Sequence, residues 1–533
     1  MRTRTILYKP HNKNDKAFLY FAAQAEKAKS LRNTVNYYIR NAMTGLQKSP
    51  EERTHHETEV LHHVFTCIQK AREQSFANGI RHARKELNDG VPSLLARKML
   101  HNARTHQIPY PTAENWFLGY NALDAVMKHS KNACYYALPA QANQQVIRKV
   151  VHDWMSYFAA LRSYNQDRSA FLAKPKMPGY TRGRMFTMAF TNQVCRLTHT
   201  PHGLFLTFPG LDTRVKVSND IWYAGRYVKT EVVPYAGAFK ICITTNDGTV
   251  CPAVPKDPKR VYGIDPGVSN FLACANNFGG QTFIINGRHL KARNQWFNKR
   301  RASLLSVLAR GSDSRHSVKH SHQLDALTMR RDGFIRDFFY KCAHLVCRMA
   351  GLERVDVIVI GHNEGQKQSM DTGHVNNQSF TAIPFLRFCN MLQQIASGYG
   401  IPVVIREESY TSKADALSGE PIPTYGKPGA KEWKSSGKRI KRGLYRSKDG
   451  RILNADINGA ANIARKEFPD AFRDVDLSFL CKKPEICGFF TFYKDKQPDK
   501  SAVRYIPKHS HARRVRRSDR KRRHAMYKAL FAA

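Results

Sequence analysis

Three acidic residues in the second half of the chain are placed where they could bind metal ions. Asp265 ends an apolar segment before a Pro-Gly turn, Glu364 follows the apolar residues 355–360, and Asp456 opens a helical pattern at 456–464. Carboxylate oxygens are the ligands that hard divalent cations prefer, and two Mg²⁺ ions about 4 Å apart can hydrolyse a phosphodiester. We therefore predict a two-metal centre in which Asp265 bridges both ions, while Glu364 and Asp456 each complete the shell of one.

Each acid alone has an ordinary explanation as a turn former, a loop acid or a helix N-cap, so the prediction depends on the elements around them. The pattern predicts strands at 261–264, 271–275, 282–285, 355–360 and 402–406, and helices at 290–309, 322–350, 384–397 and from 458. The order of three strands, helix, strand, helix, strand and helix is typical of an RNase H-like α/β layer. Such a layer would bring the three acids together.

The charge of the chain indicates a polyanionic partner. The 533 residues hold 86 Lys and Arg against 42 Asp and Glu, which gives a formal net charge of +44. An excess of this size along a whole chain is typical of nucleic-acid binding, with an affinity that falls steeply as salt rises. No Gly-rich phosphate loop of the G-x-x-x-x-G-K-[ST] type occurs, so we predict neither NTP hydrolysis nor another small-molecule substrate.

Cysteine usage and hydropathy indicate where the protein works. The eleven cysteines form no regular framework and no Cys-x-x-Cys pair, which is typical of reduced thiols inside a cell. We find no signal peptide and no apolar run of about 20 residues, so we predict no membrane association. The expected location is the cytoplasm, in association with the nucleoid, in a prokaryote, or the nucleus in a eukaryote.

The first half of the chain divides by its periodicity. Residues 3–9 predict a short strand, and helical stripes occupy most of 21–105, 112–133 and 139–164. Between 185 and 250 the period changes to two, and short strands separated by turn residues predict a small β-barrel. The stretch 174–184, with two prolines, two glycines and several basic residues, is predicted to be a linker that contacts phosphates.

Four ordered segments resemble the RuvC motifs of the TnpB family of RNA-guided endonucleases, which insertion sequences encode and which are related to small type V CRISPR effectors. They are Asp-Pro-Gly-Val-Ser-Asn-Phe at 265–271, the Glu364 segment, Glu-Ser-Tyr-Thr-Ser-Lys at 408–413, and Asp-Ile-Asn-Gly-Ala-Ala-Asn-Ile-Ala at 456–464. Residues 138–141 and 175–180 resemble upstream segments of the same family. The resemblance covers about 110–465.

This resemblance implies a multidomain α+β protein with a helical recognition domain, a small wedge-like β-barrel domain and an RNase H-like (RuvC) nuclease domain. From the resemblance together with the periodicity and composition of the chain, we expect boundaries at 1–20 plus 182–254 for the barrel, 21–181 for the helical domain and 255–480 for the nuclease, and we expect 481–533 to be a partly disordered basic tail. The resemblance also implies that the protein binds a guide RNA and cleaves double-stranded target DNA beside a short motif, using two Mg²⁺ ions, which Mn²⁺ could replace, held by Asp265, Glu364 and Asp456.

The chain departs from many relatives because it lacks a zinc ribbon. Cys389 is the one cysteine between Glu364 and Asp456, so no four-ligand zinc site of the usual spacing can form there, and we expect no zinc. In its place, 412–451 is rich in Lys, Arg and Gly, and is predicted to be either a flexible surface loop or a basic lid over the site. The residues predicted to bind nucleic acid are Lys174, Lys176, Arg182, Arg184, Lys413, Lys438, Arg439, Lys441 and Arg442.

Two other functions stay open at this point. One is an RNA-guided repressor that binds DNA without cutting it, although relatives of that kind usually lose an acid and this chain keeps all three. The other is an RNA-independent transposase or junction resolvase, since an RNase H-like layer does not by itself fix a function. A cleavage assay and the identity of bound RNA distinguish the three.

Overall fold

A computed structural model describes residues 2–89, 93–105, 107–248, 250–310, 321–363, 382–426, 429–430, 432–441 and 443–488. The chain divides into two compact units, Met1–Val250 with Leu304–Arg330 and Cys251–Ser303 with Arg331–Ala533. Helices and strands occur in both, which confirms the predicted multidomain α+β class. No helix within the described ranges has the length and apolar character that crossing a membrane requires.

The helices of the first half follow the apolar stripes of the sequence. They are α1 (Lys16–Leu46), α2 (His55–Asn88), α3 (Ser93–Thr105), α4 (Tyr120–His129), α5 (Ala133–Tyr136) and α6 (Ala142–Gln166). Leu31, Val35 and Ile39 of α1 lie four residues apart and are fully buried. Trp154 of α6 is buried with them and donates a hydrogen bond of 2.9 Å from Nε1 to Asn36 Oδ1 of α1. The stripes are therefore helix–helix core, as their spacing predicts.

The Pro- and Gly-rich stretch 174–184 is fixed against α1 through its backbone. Arg32 Nη1 donates to the carbonyl of Gly179 at 2.9 Å, and Asn36 Nδ2 donates to the carbonyl of Pro178 at 3.2 Å. The basic side chains of this stretch behave differently from its backbone. Lys174, Lys176 and Arg182 are exposed, while Arg184 forms an ion pair with Glu26. The predicted linker thus has a defined path, and all four of its basic side chains are exposed, of which only Arg184 is paired with an acid among the described residues.

Seven antiparallel strands of the first unit form two sheets. They are β1 (Arg2–Tyr8), β2 (Met188–Thr191), β3 (Arg196–Thr200), β4 (Gly203–Thr207), β5 (Val215–Val217), β6 (Arg226–Tyr235) and β7 (Ala238–Asn246). One sheet has the order β1-β7-β6-β2 and the other the order β3-β4-β5. A 3₁₀ helix, Asn219–Ala224, connects β5 to β6. Because β1 pairs with β7, the N-terminal strand belongs to the same sheet as residues 226–246.

The second unit is built on a six-stranded mixed sheet. Its strands are β8 (Val261–Pro266), β9 (Asn270–Asn276), β10 (Phe283–Asn286), β11 (Val357–Gly361), β12 (Val403–Arg406) and β16 (Glu485–Cys487), in the order β12-β11-β8-β9-β10-β16. Strands β8, β9 and β10 form an antiparallel meander, while β11 lies parallel to both β8 and β12. The three parallel strands therefore end at the same edge of the sheet.

Helices and apolar side chains cover both faces of this sheet. The helices are α7 (Arg288–Leu308), α8 (His322–Leu352), α9 (Phe385–Gly398) and α10 (Ala455–Glu467). Successive residues of β11 point to opposite faces, so Ile358 and Ile360 share a core with α8 and α9, whereas Val357 and Val359 share a core with α10. This arrangement explains why the strand reads as an unbroken apolar run.

The segment 412–451, predicted as an insert loop, contains part of a small sheet. Its strands are β13 (Lys438–Lys441), β14 (Leu444–Arg446) and β15 (Ile452–Asn454). Asp415, which is fully buried, accepts hydrogen bonds from Ser447 Oγ at 2.6 Å and from the Lys448 amide at 2.8 Å. Arg465 of α10 donates to the carbonyl of Asp415 at 3.1 Å. The description as a loop is therefore wrong for 438–441 and 444–446, and a polar cluster holds the insert to α10.

Replacing Asp415 with alanine should destabilise the second unit by about 3 kcal/mol, because Ser447 Oγ and two backbone amides would lose their buried acceptor. Asp449→Ala is the matched control, since Asp449 lies on the surface of the same insert and pairs with Arg451. Chemical denaturation of the full chain measures both, and equal effects of the two changes would contradict the role assigned to Asp415.

Candidate active site

The ends of three adjacent parallel strands bring polar side chains to one edge of the sheet. Asp265 lies near the end of β8, Asn363 follows β11 by two residues, and Glu408 follows β12 by two residues. In the sheet, β11 lies between β8 and β12. Because parallel strands end together, Asp265 and Glu408 are on the same edge, with Asn363 between their strands.

The electrostatics of Asp265 show how close the other acids are. Burial raises the pKa of Asp265 well above its usual value, and the negative charges of Glu408 and Asp456 raise it further. The guanidinium of Arg439 acts in the opposite direction. Because the charges of both other acids act on Asp265, we describe Asp265, Glu408 and Asp456 as a cluster of three acids.

Asp456 is available to this cluster because another residue caps its helix. The side chain of Asn454 accepts hydrogen bonds from the amides of Asp456 and Ile457, so Asn454 is the N-cap of α10. The carboxylate of Asp456 instead accepts a hydrogen bond of 2.6 Å from Asn270 Nδ2, and Arg439 Nη2 lies 3.6 Å from its other oxygen. The explanation of Asp456 as an ordinary N-cap is therefore wrong.

Glu408 is held at the strand ends by Asn363. The amide of Glu408 donates to Asn363 Oδ1 at 2.8 Å, and Asn363 Nδ2 lies 3.4 Å from Glu408 Oε1. The neighbouring Glu407 bonds to Lys466 instead, at 2.5 Å. Although burial acts to raise it, the pKa of Glu407 is lowered because Lys466 donates to the carboxylate. The two adjacent glutamates therefore have different partners.

Glycines make the room that these carboxylates occupy. A Cβ atom on Gly459 of α10 would lie 2.7 Å from Oδ2 of Asp265, and one on Gly361 of β11 would lie 2.6 Å from Oε2 of Glu408. A Cβ on Gly263 would lie 2.0 Å from the carbonyl oxygen of Ala460. The helix α10 can therefore pack directly on β8 only because Gly263 has no side chain. Gly459 and Gly361 leave the space that the carboxylates of Asp265 and Glu408 occupy.

The structure brings some of the predicted site residues together, and others lie outside the described residues. Asp265 and Asp456 lie together, whereas Glu364 and Arg442 fall outside the described residues. Glu408 was assigned no role by the sequence argument. The signal that could have found it is its position just after β12, since a glutamate at the end of a strand next to β11 must lie at the same edge as Asp265.

The predicted nucleic-acid-binding residues of the insert lie on its surface. Lys413, Lys438 and Lys441 are exposed, and Arg439, whose side chain is 50% exposed, reaches toward Asp456. The basic insert therefore contributes a cation to the edge of the sheet where the acids lie.

The donor set of the cluster fits a hard divalent cation, since all its ligating atoms would be carboxylate oxygens. Within the described ranges, no three His, Cys, Asp or Glu side chains are arranged closely enough to hold a metal ion as they stand. Three adjacent carboxylates repel one another, and this repulsion adds to the larger effect of burial in raising the pKa of Asp265. A cation would relieve this repulsion.

Comparison with protein families identifies one segment of the chain. Residues 240–366 match the OrfB_IS605 family, which is described as a probable transposase. This segment of the chain is similar to that family. The matching segment includes β8 with Asp265 and extends through Glu364, while Glu408 and Asp456 lie beyond it. The resemblance to TnpB stated from the sequence motifs is confirmed over this segment.

Solved structures similar to the chain include two Cas12f complexes. The Cas12f1–sgRNA–target DNA complex matches with 14% identity, a TM-score of 0.28, and coverage of 88% of this chain and 100% of that one. A CRISPR-Cas12f ternary complex matches with 13% identity, a TM-score of 0.28, and coverage of 87% and 99%. The mini-RNA-guided endonuclease CRISPR-Cas_phi3 matches with 9% identity, a TM-score of 0.32, and coverage of 69% and 87%. No curated protein matches the chain.

Proposed function

We propose that this protein is an RNA-guided DNA endonuclease that cleaves double-stranded DNA at one RuvC-like site in its second unit. The observation that carries the proposal is the cluster of Asp265, Glu408 and Asp456 at the edge of the mixed sheet. The sequence motifs that resemble TnpB and the family match over 240–366 support the same class. The net charge of +44 supports partners with phosphate backbones.

Asp265, Glu408 and Asp456 are the residues that would hold divalent metal ions. Bound Mg²⁺ would activate a water and stabilise the leaving oxygen of the phosphodiester. Asn270 orients the carboxylate of Asp456, and Asn363 orients Glu408. Glu364 remains the sequence-based prediction for the second acid, and the geometry of the described residues supports Glu408 in that place.

Arg439 would bind a phosphate of the DNA strand at this site. It projects from β13 toward the acids, and its side chain is half exposed. A guanidinium can donate two parallel hydrogen bonds to a phosphate, and it would offset the charge that repels DNA from three carboxylates. In this proposal the insert is the element that brings the DNA strand to the metal site.

In guided recognition, the RNA and the protein would have different roles. Base pairing to the guide RNA would select the target, while the protein would hold the backbones of both nucleic acids through its basic surface. Backbone binding would include the exposed cations of the stretch fixed against α1, which are Lys174, Lys176 and Arg182.

The experiment that tests the proposal is sequencing of the RNA that co-purifies with the full-length protein from cells that carry its native locus. We expect one abundant species with a constant scaffold and a variable end, which then supports Mg²⁺-dependent cleavage of DNA complementary to that end. The family's description as a probable transposase favours a second candidate, an RNA-independent transposase. Heterogeneous or absent RNA, together with unguided DNA cleavage, would support that candidate and overturn the first.

Replacing Gly459 with alanine should slow cleavage about a hundredfold while the protein still folds. The new methyl group would lie 2.7 Å from Asp265 Oδ2 and would displace that carboxylate, and a misplacement of about 1 Å can cost this much. The measurement is the rate of guided DNA cleavage at saturating Mg²⁺.

Gly333→Ala is the matched control for this change. Gly333 lies in the interior of α8 and has open space around its Cα, so alanine should stabilise the helix by about 1 kcal/mol and leave cleavage unchanged. Cleavage by the Gly459→Ala protein at the wild-type rate would contradict the position assigned to Asp265.

A further inference from the structure

A groove between the two sheets of the first unit is lined by residues that the proposed cleavage site does not use. Its volume is about 610 Å³, within the range of about 300–1,000 Å³ that small ligands occupy. The groove runs from the start of β3 to the start of β6, beneath the 3₁₀ helix Asn219–Ala224. The residues that line it are Asn192, Arg196, Leu197, Thr198, Trp222 and residues 225–227.

Trp222 presents an aromatic surface in this groove. Its side chain is 47% exposed, although tryptophan is a residue that proteins usually bury. One side of the indole is supported by His199, whose ring centroid lies 5.5 Å away at an interplanar angle of 32°. The buried Ile221 anchors the same 3₁₀ helix in the core. The indole is therefore held by its surroundings while it remains accessible to a second ring.

Positive charge and hydrogen-bonding groups surround that ring. Arg196 and Arg226 are exposed on β3 and β6, and neither forms an ion pair with an acid in the described part of the chain. No carboxylate is among the lining residues. Asn192 and Thr198 add polar groups that can bond to the edge of a base. An aromatic platform flanked by unpaired guanidinium groups is the arrangement that binds single-stranded nucleic acid.

Gly225 shapes the groove where the 3₁₀ helix turns into β6. Its φ is +108°, which favours glycine, and a Cβ atom there would lie 2.5 Å from the carbonyl oxygen of Asn246. The chain can turn closely against the end of β7 only without a side chain, and this turn places Trp222 and Arg226 at the same groove.

We propose that this groove binds an unpaired nucleotide of a single strand, with its base stacked on Trp222 and its phosphates held by Arg196 and Arg226. The inference deepens the proposed nucleic-acid function and rests on it, since it names the part of the partner that the first unit holds. The strand is RNA if it belongs to the guide and DNA if it belongs to an opened target, and both share this chemistry.

The test compares binding of short fluorescein-labelled strands to the full-length protein by fluorescence anisotropy. Trp222→Ala should weaken binding of 12-nucleotide single strands about tenfold and leave a 12-base-pair duplex within about twofold, because only an unpaired base can stack. Trp222→Phe should keep most of the affinity. Parallel titrations with RNA and DNA strands identify which of the two sources the groove prefers.

Tyr223→Ala is the matched control. Tyr223 is the next residue, is 81% exposed and does not line the groove, so its loss should change single-strand affinity by less than about twofold. Arg196→Gln and Arg226→Gln should each reduce the slope of log affinity against log salt by about 0.7, the value for one phosphate contact on a single strand.

A second readout locates the contact directly. A strand that carries 5-iodouracil should photocrosslink to the peptide that contains Trp222. Unchanged single-strand affinity in Trp222→Ala, equal losses in Trp222→Ala and Tyr223→Ala, or crosslinks confined to other peptides would each overturn the proposal. Guided DNA cleavage is measured separately from strand binding, so failure of the groove and failure of the nuclease assignment give different results.

Discussion

Replacing Asp265 with asparagine is expected to reduce guided DNA cleavage about a thousandfold or more while RNA and target binding are kept. Asparagine has nearly the same shape, but it lacks the charge that a divalent cation needs from a bridging ligand. The negative charges of Glu408 and Asp456 both act on Asp265, so its loss removes the carboxylate that interacts with both other acids. Cleavage at fixed Mg²⁺ and binding to a labelled target, measured on the same preparation, check both parts.

The same variant should gain stability when no divalent cation is bound. The folded-state pKa of Asp265 is raised, so the folded protein binds this proton more tightly than the unfolded chain does. The contribution of Asp265 to stability therefore falls as pH rises from its usual value of 3.8 through its folded-state pKa. In EDTA, the stability advantage of Asp265→Asn should grow over that range and then stay constant. A variant that is less stable than the wild type at neutral pH would contradict the crowding of the three acids.

The fold could be predicted well where periodicity decides it. The stripe Leu31, Val35 and Ile39 predicted the buried face of α1, and the predicted helix at 322–350 is α8, His322–Leu352. Strand β11 could be recognised as an apolar run because both its faces are covered. The sheet at 438–454 could not be recognised in the same way. Its strands are short, its first strand is entirely exposed, and a side-chain cluster around Asp415 holds the insert.

The site was predictable to the extent that each acid lies beside a recognisable motif. Asp265 and Asp456 have such motifs, and the structure places them in one cluster. Glu408 opens the quoted motif 408–413 but was given no metal-binding role, because that role depends on the sheet order β12-β11-β8, which local sequence does not specify. Strand order is a long-range property, and it decides which loop residues share an edge. The capping of α10 by Asn454 was also missed, since Asn454 and Asp456 are both residue types that cap helices and the local backbone geometry decides between them.

The identity of the second acid can be settled by comparing three glutamates. Glu408→Gln should reduce cleavage about as much as Asp265→Asn, because Glu408 lies at the same sheet edge as Asp265 and, among the described acids, its charge acts most strongly on Asp265. Glu407→Gln is the matched control, since Glu407 is adjacent in sequence but pairs with Lys466. It should retain cleavage, with at most a modest loss of stability. Glu364→Gln tests the prediction from the motif, and on the proposal that Glu408 is the second acid it should cleave at nearly the wild-type rate.

Measurements of metal affinity distinguish a residue that binds the metal from a residue that only stabilises the fold. Mn²⁺ binding, followed by electron paramagnetic resonance in the absence of nucleic acid, should weaken at least tenfold in Glu408→Gln and remain unchanged in Glu407→Gln, since a lost carboxylate ligand lowers cation affinity directly. If Glu364→Gln instead abolishes both cleavage and Mn²⁺ binding while Glu408→Gln keeps them, the sequence motif assigns the second acid correctly. Glu408 would then be a neighbour that raises the pKa of Asp265 without touching the metal.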